Sequence, residues 1–590
     1  MKIDITSFGG VIPKIGKHLL PESNGTIAEN CRLGSGMIRP LSNMRNDHVI
    51  PEGMLSMYRW KGQWIHYPDF RQYVPGLVFG ETQRLYMSTE DGGLENWISQ
   101  ERGAVKLGCP EPTAKPVVEL SGDAVSDVTM SSRVYVYTCV NELGEESAPS
   151  PVSDVVDWQG QTVNISGLST PSAVGYATIT HKRVYRLAVG NESSGYLYVA
   201  QIPSSATTYT DSVSDAELGE ALPSNGWHAP DSDLKGLVSI AGGAYAAYHG
   251  NEVRCSVPQY PYAWPNDYAY SVEYDIVGLA SSGSLLFIFT DGPVYYMSTD
   301  DLGSTAPVRM EGLYPCMSSR SIVQVTGGAV FAANDGLYFV GSGYSSPTRI
   351  SAEFYSPDEW QALNPSSMHG CYCNSSLYMF YTRLDGERGG IIGAFGFDSN
   401  ADSDIARNLS TTNIDIDYAT VVPNGEYMFV AYNGVCWQWE GLTLSKMFAT
   451  WQSKSFLLQN KTNFSACIVE QSIEDEENDE SILKYIALTK YLETHGYYLD
   501  GGYARLPQSE CAFGSDGGTA SVYEQVSSVV PDVVVYIYAD NTLVYTKRVT
   551  SREPFSLPAG FTARTWWLKV RSNRDIRRMA IAESMGELYE

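Results

Sequence analysis

Positive charge is scarce in this sequence. Forty lysines and arginines stand against 67 aspartates and glutamates in 590 residues, a net charge of −27. Tight phosphate binding needs clustered Lys and Arg, so the balance argues against a dedicated nucleic-acid binder. It is compatible with a surface that lets DNA pass without holding it. No run of about 18 apolar residues occurs, so no membrane span is expected. Met1-Lys-Ile-Asp-Ile-Thr6 lacks an apolar signal core, so no secretory signal is expected and a secreted adhesin is disfavoured. The ten cysteines are scattered, without CxxC pairs or a matching histidine spacing. Neither a zinc site nor a cofactor is therefore expected, and free thiols in a reducing cytosol are the plain reading. Cys371 and Cys373 alternate along an expected strand and are read as pointing to opposite faces.

Catalytic signatures are equally sparse. The eight histidines form no HExxH, and no GxSxG elbow, Walker loop or GxGxxG after a strand is present. Asp415 and Asp417 share a strand face with no evident cleft, and glycosidases need two carboxylates at a set separation. Trp264, Trp360, Trp437, Trp439, Trp566 and Trp567 could form a sugar platform, but such aromatics more often anchor cores and interfaces. No catalytic, cofactor-binding or metal residue is assigned, and the chain is not expected to be an enzyme.

What is abundant is turn-rich β sequence, with 54 glycines and 40 tyrosines. From Leu237 to Glu440 one unit recurs five times: a short apolar strand, a Gly or Asn turn, a second strand, another turn and a third strand. The clearest copy runs Ser321-Ile-Val-Gln-Val, Thr-Gly-Gly, Ala329-Val-Phe-Ala-Ala, Asn334-Asp-Gly, Leu337-Tyr-Phe-Val. The turn pairs supply the positive φ that tight hairpins need. The copies start near residues 237, 276, 320, 369 and 417. A period of roughly 40–50 residues with three or four strands per unit predicts a β-propeller, within an all-β chain. A β-sandwich, or a pair of them, is the competing architecture, with shorter and less even spacing.

Around this repeat the domains fall in order. Residues 1–50 hold little regular pattern and read as an N-terminal arm. Residues 51–112 read as a first blade, with strands at Met54–Trp60, Gln63–Tyr67, Leu77–Phe79 and Arg84–Met87. Ser88 to Trp97 resembles the Asp-box of sialidase propellers, but the spacing to Trp97 is too long and the segment occurs once. Residues 113–224 break the rhythm and fit a β-sandwich of immunoglobulin size, and residues 225–456 hold the remaining blades. Residues 457–590 read as a C-terminal β-rich platform, with a short helix near 481–494 that Ser481 caps. The acidic run Glu474–Glu480 before it reads as a solvated loop, since EF-hand spacing is absent. From Asp532 onward nine basic side chains meet seven acidic ones, about +2, which leaves the rest of the chain near −29. Arg571, Arg574, Arg577 and Arg578 are the basic cluster that could face an acidic neighbour or a phosphate, or simply solvent.

Several pieces, taken in order, carry a resemblance. They are Phe8-Gly9-Gly10 with Pro13, Leu20-Pro21, Ala28-Glu-Asn30, Arg39-Pro40, Pro261-Tyr-Ala-Trp264-Pro265, Trp451-Gln-Ser453 and Leu557-Pro-Ala-Gly560-Phe561. Together they resemble the tail nozzle, or tail tubular protein B, family of short-tailed bacteriophages. Gly144–Ser147 and Lys182-Arg-Val-Tyr-Arg186 resemble fibronectin type III-like domains inserted into phage structural proteins. The resemblance implies a virion structural protein made in the bacterial host cytoplasm. It would form a homo-oligomeric ring, expected to be a hexamer, below the portal and head-to-tail adaptor and near tail fibres or a tail needle. Double-stranded DNA would pass through without specific binding, and an acidic channel wall is expected, with Arg571–Arg578 away from the lumen. A carbohydrate-binding or carbohydrate-cleaving tail protein is the alternative.

Overall fold

The computed structural model describes the chain except residues 78–82, 190–193, 394–407, 422–426, 472–531, 559 and 590. The expected helix at 481–494, the acidic run before it and part of the Leu77–Phe79 strand lie outside the described residues. What is described is almost entirely β, in many small antiparallel sheets; one short α-helix, Pro357–Ala362, occurs among the described residues. Ser356 caps it in a capping box with Glu359, and Pro357 opens it. The chain divides into two compact units, residues 69–313 and residues 1–68 with 314–590.

In the first of these, three sheets are four-stranded up-and-down meanders. Their first strands are Arg71–Pro75, Lys235–Ser239 and Ile276–Ser282. Between the first and second, residues 113–224 form two three-stranded sheets over one core, together with a two-stranded pair, Ser131–Arg133 with Val156–Trp158. Tyr135 and Tyr137 from one sheet meet Val163 and Ile165 from the other. The strands of these sheets include Tyr135–Asn141, Thr162–Ser166, Ile179–Val189, Ser194–Pro203 and Tyr209–Asp211. The turn beginning at Gly144 carries two buried carboxylates. Glu146 accepts hydrogen bonds from Thr138, Tyr185 and Arg183. The hydroxyls of Ser147, Ser150 and Ser153 accept the backbone N–H groups of Cys139, Tyr137 and Tyr135. Serine at every third residue thus serves this edge twice, its hydroxyl accepting these N–H groups and its own N–H donating to the carbonyls of the same three residues.

In the other unit three more meanders start at Val323–Val325, His369–Cys373 and Tyr418–Val421. The repeats that begin at Lys235, Ile276 and Val323 are separate four-stranded sheets, and the one at His369 is a four-strand meander that runs on into a larger sheet. Their turns are built as expected: Asn374-Ser375 and Asn433-Gly434 have φ of 49° and 58°, and 52° and 71°, the positive pair of a tight type I′ hairpin. The last meander has only three strands of its own, and Ser42–Val49 from the N-terminal region supplies the fourth.

Residues 1–50 depart from expectation, for they form strands rather than an irregular arm. Lys2–Ile5 pairs with Ile576–Ala582, and Asn24–Glu29 pairs with Ala449–Ser453. Lys2-Ile-Asp-Ile5 does alternate, but both strands find their partners far along the chain, and no local pattern shows that pairing. Asn24–Glu29 lies between Leu409–Thr412 and Ala449–Ser453 in an eleven-stranded sheet that continues through Ala563–Ser572 and Val533–Ala539. Cys371 and Cys373 also differ from the reading. Residues two apart on a strand share a face, and both thiols lie in one core cluster with Tyr378 and Trp439. The nine described cysteines are all buried, and no disulfide joins any two of them.

Candidate metal centre

Where Ser42–Val49 completes the last meander, its pairing slips. His48 stands opposite Cys436, but the next residue along, Trp437, stands opposite Asn46. Asp47 is the extra residue, a β-bulge. A bulge turns two consecutive side chains toward the same side, which regular alternation forbids. Asp47 and His48 thereby share a site, and Cys436 joins them from the facing strand. Donor atoms of the three lie within 4.8 Å of one another.

The hairpin Ser56–Trp60 and Gln63–Tyr67 adds two further groups, Trp64 and His66, which are two apart and so share a strand face. Asp47 Oδ2 lies 2.8 Å from His48 Nδ1 and accepts a 2.6 Å hydrogen bond from Trp64 Nε1. His48 Nε2 lies 2.9 Å from His66 Nε2, and His66 Nδ1 is buried with no partner. The Trp64 ring rests edge-on against Phe429 at 4.8 Å, with the Arg59 guanidinium 5.6 Å from the Phe429 centroid. Packing therefore fixes the rings before any ion arrives.

The electrostatics favour neutral imidazole. Burial pushes the His66 pKa down, and the neighbouring His48 adds to this. Burial pushes the Cys436 thiol up, Asp47 adds to the rise and Arg59 opposes it. Thiol, imidazole and carboxylate together make a donor set for a borderline transition ion, not for Mg²⁺ or Ca²⁺. Sequence spacing could not show this. Cys436 and His48 are far apart in the chain, and the one local signal, adjacent Asp and His, is too common to notice.

The other groups singled out in the sequence have different fates. Asp415 and Asp417 do come together, but each lies 2.7 Å from the Arg388 guanidinium, so they form an ion-pair cluster rather than a catalytic pair. Trp264, Trp360 and Trp566 are at most 1% exposed, and Trp439 is buried, so these four are core. Trp567 stacks on Tyr538 at 3.5 Å. Trp437 lines a cleft of about 530 Å³ with Glu29, Asn43, Asn413 and Arg571. Of the basic cluster, Arg578 pairs with Asp4 and Glu470, and Arg571 lies over the Phe448 ring at 3.6 Å.

The residues behind the phage resemblance converge. Phe8 meets Trp451 edge-on at 4.9 Å, Trp451 Nε1 donates to the Gly9 carbonyl at 3.1 Å, and Ala28 stands opposite Trp451. A Cβ on Gly10 would lie 2.3 Å from the Leu409 carbonyl oxygen, so only glycine fits there.

No protein-family model matches the sequence, and no curated protein does. Among solved structures the chain is similar to the WD40 domain of Neurospora crassa Pan2, with 8% identity over 60% of this chain and 85% of that one, at a TM-score of 0.27. It is also similar to virginiamycin B lyase from Staphylococcus aureus, with 10% identity over 54% and 98%, at 0.22. A gluconolactonase from Xanthomonas campestris gives 10% identity over 68% and 98%, at 0.21. TM-scores this low carry no argument about fold or activity.

Proposed function

We propose that this chain is a structural subunit of the tail nozzle of a short-tailed bacteriophage. It forms a ring, expected to be hexameric, below the portal and adaptor, and it conducts and retains DNA for ejection into the host. On this reading the six four-stranded meanders are blades of a β-propeller, and residues 113–224 are a fibronectin type III-like insertion. Its location is the virion tail, beside tail fibres or a tail needle.

The observation that carries the reading is the meeting of Phe8, Gly9, Ala28 and Trp451. These residues belong to three separate pieces of the resemblance, two near the N-terminus and one more than 400 residues later. Their shared packing makes those pieces one structural feature, so their joint occurrence weighs more than three isolated matches. The charge agrees with it. A ring of copies at −27 each repels phosphate, as a conduit must. The ion pairs of Arg578 with Asp4 and Glu470 leave that side chain for internal use rather than for DNA.

One observation favours the alternative, a carbohydrate-binding tail protein. Trp437 lines a cleft with Asn43, Asn413 and Arg571, an aromatic among polar groups of the kind that holds a sugar. A glycan-binding screen with capsule-sugar turnover separates the two. The nozzle reading expects neither binding nor turnover. Binding that disappears in Trp437→Ala, or any turnover, would replace it with the alternative.

A further inference from the structure

We propose that Asp47, His48 and Cys436 bind one divalent ion of the zinc class, with His66 and Trp64 holding the ligands in place. The donors already lie within 4.8 Å of one another. On a tetrahedral ion with bonds of about 2.0–2.3 Å, neighbouring donors are roughly 3.3–3.6 Å apart. Closing on an ion therefore asks for about an ångström of side-chain adjustment and no movement of the sheet.

The surrounding groups match what a ligand set needs. A metal-bound histidine donates its other ring N–H to a fixed acceptor. With His48 Nδ1 on the ion, Nε2–H is free to donate to His66 Nε2, 2.9 Å away. Trp64 Nε1 anchors the Asp47 carboxylate at 2.6 Å. Thiolate and imidazole select a zinc-like ion over Mg²⁺ or Ca²⁺. Asp47 and His48 keep 28% and 25% of their side-chain surface exposed, so an ion can enter and a water can fill the fourth position.

The ion would clasp Ser42–Val49 to Val435–Lys446, the seam where an N-terminal strand completes a late meander. Such a clasp ties together segments that separate on unfolding, so binding adds to stability. The same seam explains why the site needs the bulge: without it Asp47 would face away from Cys436.

The test is metal loading of the full-length chain, stripped with chelator and dialysed against micromolar Zn²⁺ or Co²⁺. The expected result is one zinc per chain by elemental analysis. Cobalt should give visible ligand-field bands with a thiolate-to-cobalt charge-transfer band. Cys436→Ser should remove the charge-transfer band, and Asp47→Asn, which keeps the shape of the side chain, should weaken zinc binding at least tenfold. His66→Gln should weaken it while leaving the charge-transfer band in place. Circular dichroism confirms folding of each variant before loading. A folded chain that takes up no zinc under these conditions, or cobalt spectra unchanged in both Cys436→Ser and Asp47→Asn, would overturn the assignment.

Discussion

Acid should weaken this protein through His369 before its ordinary carboxylates titrate. The imidazole is 8% exposed and packs on Phe380 at 5.6 Å, and its Nε2 has no partner. Burial is the main cause of its depressed pKa, about 4; Arg320 and Arg388 lower it further, while a backbone hydrogen bond at Ser367 opposes them. The unfolded chain binds this proton near pH 6.5, the folded chain only near pH 4, so the unfolded state gains protons first as pH falls. Stability from this group is complete above pH 6.5 and is lost between there and pH 4. From the two pKa values the loss reaches about 2 kcal/mol at pH 5 and about 3 kcal/mol at its limit. The perturbation is His369→Phe, which keeps an aromatic ring and removes the titration. Urea unfolding of both proteins, followed by tryptophan fluorescence from pH 7.5 to pH 5, isolates the effect, because every other group titrates alike in the two. The difference between them should shift by about 2 kcal/mol in favour of the variant as pH falls. Parallel pH profiles would refute the reasoning.

Other consequences follow from the packing. Trp451→Ala removes a ring with no exposed surface and the contact with Phe8; it should cost about 3–5 kcal/mol by thermal or chemical unfolding, and a loss under 1 kcal/mol would contradict the core role. Ser356→Ala breaks the capping box of the one described α-helix and should cost about 1 kcal/mol in the same assay. Deleting residues 113–224 and joining Pro112 to Asn225 removes a module with its own core, so calorimetry should still show cooperative melting; loss of all β signal would count against a separate module.

The five repeats were legible because each rests on local chemistry. Asn433-Gly434 and Asn374-Ser375 adopt positive φ whatever lies elsewhere, and the apolar runs beside them can only be short buried strands. The strands of residues 113–224 were legible for the same reason. Ser42–Val49 was not. Ser-Asn-Met-Arg-Asn-Asp-His-Val is polar and unpatterned, and it becomes a strand because Val435–Lys446 offers it an edge. Asn24–Glu29 was hidden in the same way, whereas Lys2-Ile-Asp-Ile5 alternates and only its distant partner was hidden. The candidate metal centre is a consequence of that hidden pairing: its bulge exists only once His48 and Cys436 are in register. Cys371 and Cys373 are a different case, a misapplied period, since strand neighbours two apart share a face.

The central claim is that this chain builds an axial tube. Electron microscopy of tailed particles that carry it, with the chain marked by a bound antibody fragment, tests that most directly. The account predicts a closed ring of label on the tail axis, directly below the portal. Label confined to peripheral fibres or spikes, away from the axis, would contradict it.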